Sequence, residues 1–337
     1  MARVLVTGAT GFIGRNLVER LVKGGDQVVC LLHRRGAENF FAPLQVEYVR
    51  GDLLTPGSLD PVLPGVDIVY HLAGATLVLS AKEFARGNTE ATRLLAEACA
   101  RQERPPRVVF VSSLAAAGVA PADRPLTEES PAAPVSEYGR SKLAAEQHLR
   151  AVADRVPITI VRPPIVFGPW DPLTVILFKI VRLGINFNAG LKDYRLAWIH
   201  VADLVEGLVK AARNGEHLPP DTRTAPPGRG IYFMAMDEMR SLREASELTA
   251  RALKRKMLAF IYFPAFLCRF LAKVNDRIAQ RISRPSLMVP DKIAEGLAGS
   301  WMCSSDKAKR ELGFSCHFQL EAGLRMLAQW YRKHGWM

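Results

Sequence analysis

What most constrains this chain is a glycine run close to its start. Thr7-Gly8-Ala9-Thr10-Gly11-Phe12-Ile13-Gly14 lies between a short apolar stretch, Arg3–Thr7, and the helical repeat Ile13, Leu17, Leu21. A strand that passes through glycines straight into a helix opens a βαβ unit. The turn also carries chemistry, because glycines admit close backbone approach and a helix N-terminus favours an anion. Gly8, Thr10, Gly11, Phe12, Ile13 and Gly14 are therefore candidate contacts for the pyrophosphate of a dinucleotide. The spacing is G-x-x-G-x-x-G, and glycines also mark plain strand–helix turns. Position at the head of a βαβ unit gives the motif its weight.

The rest of the chain keeps that rhythm to about residue 165. Apolar runs recur at Gln27–Leu32, Val46–Val49, Val66–Leu72, Arg107–Ser112 and Ile158–Val161, with helical stretches such as Glu90–Arg101 and Ser141–Ala153 between them. Strands alternating with helices predict an α/β fold, a doubly wound parallel sheet with helices on both faces. Beyond residue 165 the pattern loosens, and the last third reads as mostly helical. The 49% of apolar and 23% of charged residues exclude a disordered or fibrous chain. No apolar run is long enough to cross a bilayer. The five cysteines are scattered with no C-x-x-C pair, which argues against a disulfide scaffold or a metal site. With no room for a signal peptide before Val4, a cytoplasmic location is expected.

The end of the second strand bears on the cofactor. An acidic residue there would hold the adenosine ribose 2′-hydroxyl of NAD. This chain has His33-Arg34-Arg35, which can pair with a 2′-phosphate, so NADP is preferred over NAD, although a solvated basic turn would look the same. Asp52 and Leu53 follow the third strand, and Leu72, Ala73 and Gly74 end the fourth. All lie at carboxyl ends of parallel strands, where ligands bind in open sheets.

Tyr138 and Lys142 stand four apart, hence on one helix face. An ammonium beside a phenol lowers the phenol pKa and lets it exchange a proton near neutral pH. Such a pair is often only a surface contact. Here it accompanies the glycine turn and Ser113, a hydroxyl at the end of the fifth strand, and a catalytic reading follows.

Taken together, TGATGFIG (7–14), GDL (51–53), HLAG (71–74), VSS (111–113), YGRSK (138–142), RPPIVFGP (162–169), WIHVADL (198–204) and SSDKAKRELGF (304–314) resemble the extended short-chain dehydrogenases/reductases. The resemblance spans essentially the whole chain. It implies a Rossmann-type domain at 1–165, with segments near 196–212 and 230–236 returning to it, and a smaller, mostly helical substrate domain at 166–337. It implies Ser113, Tyr138 and Lys142 as the catalytic set, with Lys142 also holding the nicotinamide ribose. Ser112 is the lesser of the adjacent serines. Pro163 is placed near the nicotinamide, and a homodimer is expected.

Departures from the family pattern bear on the substrate. Nucleotide-sugar enzymes carry an asparagine three residues after the arginine of R-x-x-N. Here that position is Ile165, which offers no hydrogen bond. Leu114 and Ala115 cannot serve a dehydration. The chain is nearest to the 3β-hydroxysteroid dehydrogenase-like and dihydroflavonol reductase-like branches, which implies alcohol–ketone interconversion on an apolar, sterol- or isoprenoid-like substrate. Arg195 could still bind a phosphate, so a nucleotide-sugar epimerase is the alternative. A non-catalytic cofactor-sensing or scaffold protein is a second one, weakened by the intact Tyr–Lys pair.

Charge adds one more feature. The net charge is +12, and residues 251–284 hold nine basic side chains against Asp276 alone. From Phe266 to Ile282, apolar and basic residues each recur every four positions. Adjacent stripes of this kind suit a helix on an anionic membrane surface. They equally suit a substrate-domain helix whose apolar stripe faces the core. The aliphatic interleaving does not suit nucleic acid.

Overall fold

The computed structural model of the protein describes residues 1–33, 36, 40–41, 43–221, 225–257 and 259–337. The first strand, β1 (Arg3–Thr7), turns through the glycines into α1 (Phe12–Lys23), followed by β2 (Gln27–Leu32), β3 (Glu47–Arg50) and β4 (Ile68–His71). Then come α2 (Ala81–Phe84), a π-helical turn at Ala85–Glu90, α3 (Ala91–Ala100), β5 (Arg107–Val111), α4 (Leu114–Ala117), α5 (Glu137–Arg150) and β6 (Ile158–Arg162). Helix α5 begins four residues earlier than the apolar repeat predicts. Ser136 caps it by accepting from the Gly139 amide, so Tyr138 lies within the helix.

Strands β1, β4, β5 and β6 are almost wholly buried, as parallel strands covered on both faces must be. Together with β2, β3 and β10 (Ile231–Phe233) they form, among the described residues, a seven-stranded parallel sheet in the order β3-β2-β1-β4-β5-β6-β10. One core cluster lies beneath α1 and α7 (Val201–Asn214), and another lies on the opposite face under α3 and α5. The order reverses between β1 and β4, where an open α/β sheet leaves its crevice.

The later chain builds a second layer. Strands β7 (Ile165–Phe167), β9 (Arg195–His200) and β11 (Met239–Ser241) make a small sheet, and β8 (Ile185–Ala189) pairs with β12 (Ala259–Phe263). Residues 196–212 therefore divide. Strand β9 leaves the main sheet to join β7, whereas α7 packs back over it. Helices α6 (Thr174–Val181), α8 (Leu242–Ala252), α9 (Ala265–Arg281), α10 (Pro290–Ala298), α11 (Asp306–Leu312) and α12 (Leu320–Lys333) complete the chain. Phe167, Phe178, Trp198, Leu324 and Tyr331 centre its own core cluster. No helix among the described residues is long and apolar enough to cross a membrane.

Candidate active site

The glycine turn is built as tightly as its composition requires. Gly8 has φ of +71°, and a Cβ there would lie 2.6 Å from the Ala73 nitrogen. A Cβ on Gly14 would lie 2.1 Å from the Gly8 carbonyl oxygen. Gly11 caps α1 without a side chain, and no acidic residue stands in the first turn. The backbone amides of this turn fit a dinucleotide diphosphate, and nothing of like charge opposes it.

The neighbouring strand ends face the same crevice. His71 is fully buried and shares hydrogen bonds with the Thr7 hydroxyl (2.7 Å) and the Thr92 hydroxyl (2.9 Å). Burial, helped by the charge of Lys142, holds His71 down to about 3, so it is neutral and structural. The Ala73 amide donates to the same Thr7 hydroxyl, fixing the Leu72-Ala73-Gly74 turn. Asp52 caps its own turn through the Leu54 amide and lies 3.9 Å from His33 at the end of β2. Arg34 and Arg35 lie outside the described residues.

The two adjacent serines after β5 part company. Ser112 donates to Glu146, which is wholly buried and grips Arg162 through two bonds of 2.9 and 2.6 Å. Ser113 is the N-cap of α4, accepting from the Ala115 amide, and its hydroxyl is near enough to the Tyr138 phenol to act on its titration. The Leu114 amide donates to the Pro163 carbonyl, which holds this turn against the segment after β6. Burial pushes the Tyr138 phenol up to about 12. The Ser113 hydroxyl opposes that rise, and the Glu295 carboxylate adds to it.

Lys142 departs from the expected partnership. Its Nζ donates to the Val111 carbonyl at 3.0 Å rather than to the phenol, and it lies 4.9 Å from the Phe110 ring centroid. Burial lowers it to about 8, partly offset by Glu146. It also packs against Gly74, where a Cβ would come within 3.2 Å of Nζ. Lys142 thus joins the β4 turn to the end of β5.

Several residues escape a motif search. Asn88, in the π-helical turn, accepts from the Ala75 amide and donates to the Ala75 carbonyl and the Ser141 hydroxyl. It ties the β4 turn to α5, the kind of place where π-bulges gather. Asp291 accepts from the Glu137 and Tyr138 amides at 2.6 and 3.3 Å. Glu295 accepts from Ser136, and the Lys292 ammonium stands 4.8 Å from the Tyr138 ring centroid. Helix α10 therefore clamps the N-terminus of α5 from the second layer. No pattern in a single sequence pairs positions about 150 apart.

Beside this clamp is a cavity of about 550 Å³. Leu77, Val78, Phe84, Val135, Val289 and Pro290 supply much of its wall, and the Phe84 ring meets Tyr138 at 5.7 Å. Ile165, at the start of β7, is partly exposed. Arg195 is not at this cavity. Its guanidinium is held by Glu244 at 2.9 Å and by the Met239 carbonyl. Among the described residues no cluster of ligating side chains could hold a metal ion.

Residues 4–223 match the model of the NAD dependent epimerase/dehydratase family. Over nearly its full length the chain is 31% identical to a ceramide reductase of Caulobacter vibrioides, covering 99% of this chain and 96% of that one. It is 28% identical to a 4-hydroxy-2-methyl-3-oxo-4-farnesyl-3,4-dihydroquinoline-1-oxide ketoreductase of Stigmatella aurantiaca, covering 97% and 96%. Among solved structures, MoeE5 in complex with UDP-glucose and NAD superposes with a TM-score of 0.75 at 25% identity, over 98% of this chain and 99% of that one. The glycine turn, the Ser–Tyr–Lys constellation and these likenesses agree. The chain belongs to the NAD dependent epimerase/dehydratase family and is an NAD(P)-dependent oxidoreductase of the extended short-chain dehydrogenase/reductase type.

Proposed function

We propose that the protein interconverts a secondary alcohol and a ketone on a largely apolar, lipid-like substrate, with NADP preferred over NAD. The observation that carries the chemistry is that Ser113, at the carboxyl end of β5, acts on the Tyr138 phenol, with Lys142 buried one turn further along α5. The Gly8–Gly14 turn would hold the diphosphate, Asp52 and Leu53 would flank the adenosine end, and Leu72–Gly74, Pro163 and Lys142 would line the nicotinamide end. When bound, the nicotinamide ring supplies or accepts the hydride. Ser113 and Tyr138 converge, so one substrate oxygen placed between them accepts from both. In reduction the Tyr138 Oη gives its proton to that oxygen, and in oxidation it takes one back. NADP rather than NAD rests on His33 and Arg34, a basic turn where NAD enzymes carry an acid.

The apolar substrate is supported by the apolar side of the cavity, from Leu77, Val78, Phe84, Val135, Val289 and Pro290, by Ile165, and by the relatives. The ceramide reductase and the farnesyl-quinoline ketoreductase are both named for reduction of molecules with a lipid-like part. Sterol- and isoprenoid-bearing ketones are the substrates to try first. The UDP-glucose complex of MoeE5 favours a second reading, nucleotide-sugar chemistry. Against it, the candidate phosphate ligand Arg195 is already engaged by Glu244.

Paired titrations with NADPH and NADH, then a turnover screen of long-chain and steroid ketones against UDP-sugars, test the proposal. Oxidation of NADPH by an apolar ketone is expected. Tyr138→Phe should abolish it while sparing cofactor binding, and an undiminished rate overturns the mechanism. Conversion of a UDP-sugar with no net change in the nicotinamide absorbance returns the protein to the epimerases.

A further inference from the structure

Helix α9 is built inside out. It meets the body of the protein through Cys268, Ala272 and Ala279, all small and buried. Its large apolar residues point the other way: Phe266 is 73% exposed, Phe270 62%, Ile278 51% and Ile282 58%, with Leu271 and Val274 beside them. At about 100° per residue, this row centres roughly 140° around the helix from the buried one. A surface helix of a soluble domain does the reverse, turning its large apolar residues to the core. The sequence left open whether this stripe packs inward, and the structure turns it outward.

A second row runs alongside. Arg269, Lys273, Arg277 and Arg281 are all exposed, and none forms an ion pair among the described residues. The one carboxylate of the helix, Asp276, accepts from Gln280 and faces the cavity beside the active site. The strand feeding the helix continues the apolar exposure through Ile261 and its register partner Phe187.

We propose that this face of α9 seats the protein on an anionic lipid bilayer. The helix would lie in the interface, with Phe266, Phe270, Val274, Ile278 and Ile282 among the acyl chains and the basic row reaching lipid phosphates. Charge selects this occupant. A second copy would apply the same patch to itself and bring two unpaired basic rows together. A bilayer bearing phosphatidylglycerol complements both rows at once. A consequence, which rests on the reductase reading above, is that lipid substrate reaches the cavity from the membrane, because Asp276 and Gln280 of this same helix line it.

The test is flotation of the full-length protein with phosphatidylcholine vesicles, with and without phosphatidylglycerol, at low and high salt. Binding to the anionic vesicles that weakens with salt is expected. Phe266→Ser combined with Phe270→Ser, and separately Lys273→Glu combined with Arg277→Glu, should each reduce the bound fraction at least about tenfold while the melting temperature is kept. These side chains are exposed, so the variants should fold. No flotation on anionic vesicles at low salt overturns the proposal, as does binding that the serine variant leaves intact. Light scattering that finds a dimer dissolved by the same serine pair assigns the stripe to a second copy and overturns it too. The flotation outcome does not depend on catalysis. If the protein floats yet reduces no ketone, the function reading fails and the membrane reading stands.

Discussion

The Lys142 ammonium donates to the carbonyl oxygen of Val111, 3.0 Å away, at the end of the strand that delivers Ser113. A buried cation on a strand-end carbonyl rather than a carboxylate is costly, and its pKa falls from the ordinary 10.5 to about 8. Between those values the unfolded chain holds the proton and the native one does not. Stability therefore gains from this residue as pH rises from about 8 to about 10.5. Urea midpoints should show the wild type gaining on Lys142→Met across that window, and parallel curves would remove the shift. Turnover of Lys142→Met at neutral pH should fall by about a hundredfold or more.

Gly14→Ala places a methyl 2.1 Å from the Gly8 carbonyl, a backbone atom that cannot rotate away. The turn must open to admit it. NADPH affinity measured by calorimetry should drop about tenfold or more. Gly25→Ala is the control, since Gly25 has nothing within 4 Å and its strain is purely conformational. It should lower the melting temperature and leave the affinity unchanged.

Glu146 and Arg162 form a buried ion pair, with side chains 0% and 4% exposed. Removing one partner leaves a charge without compensation. Arg162→Met should cost about 3–5 kcal/mol in chemical denaturation, and Glu146→Leu added to it should recover much of that loss. Ser112→Ala, which deletes only one donor to Glu146, should cost about 1 kcal/mol and leave turnover near wild type. A collapse of turnover in Ser112→Ala alone would exchange the roles of the adjacent serines.

Asp291 caps α5 from outside that helix, through the amides of Glu137 and Tyr138. It is a positioning residue. Asp291→Ala should cost about 1 kcal/mol of stability and lower kcat more than it changes cofactor affinity. Asp291→Asn, which keeps one acceptor, should restore part of kcat. Equal losses in both variants would mean that the charge, not the acceptor, is what matters.

The sequence by itself determined the sheet, the glycine turn and the four-residue spacing that puts Tyr138 and Lys142 on one helix. Those features arise from local periodicity and from residues a few places apart, which a linear reading registers. Predicted strands differed by a residue or two, as β3 did, because propensity does not mark where a ladder ends. Only the tertiary structure decided which serine meets Tyr138, that Lys142 turns to Val111, and that Asn88, Asp291 and Glu295 hold the site. Those contacts join distant segments and carry no spacing. The same holds for α9. Its two stripes are plain in the sequence, but which of them faces water depends on what the fold leaves to cover it, and the small residues Cys268, Ala272 and Ala279 take the inward side.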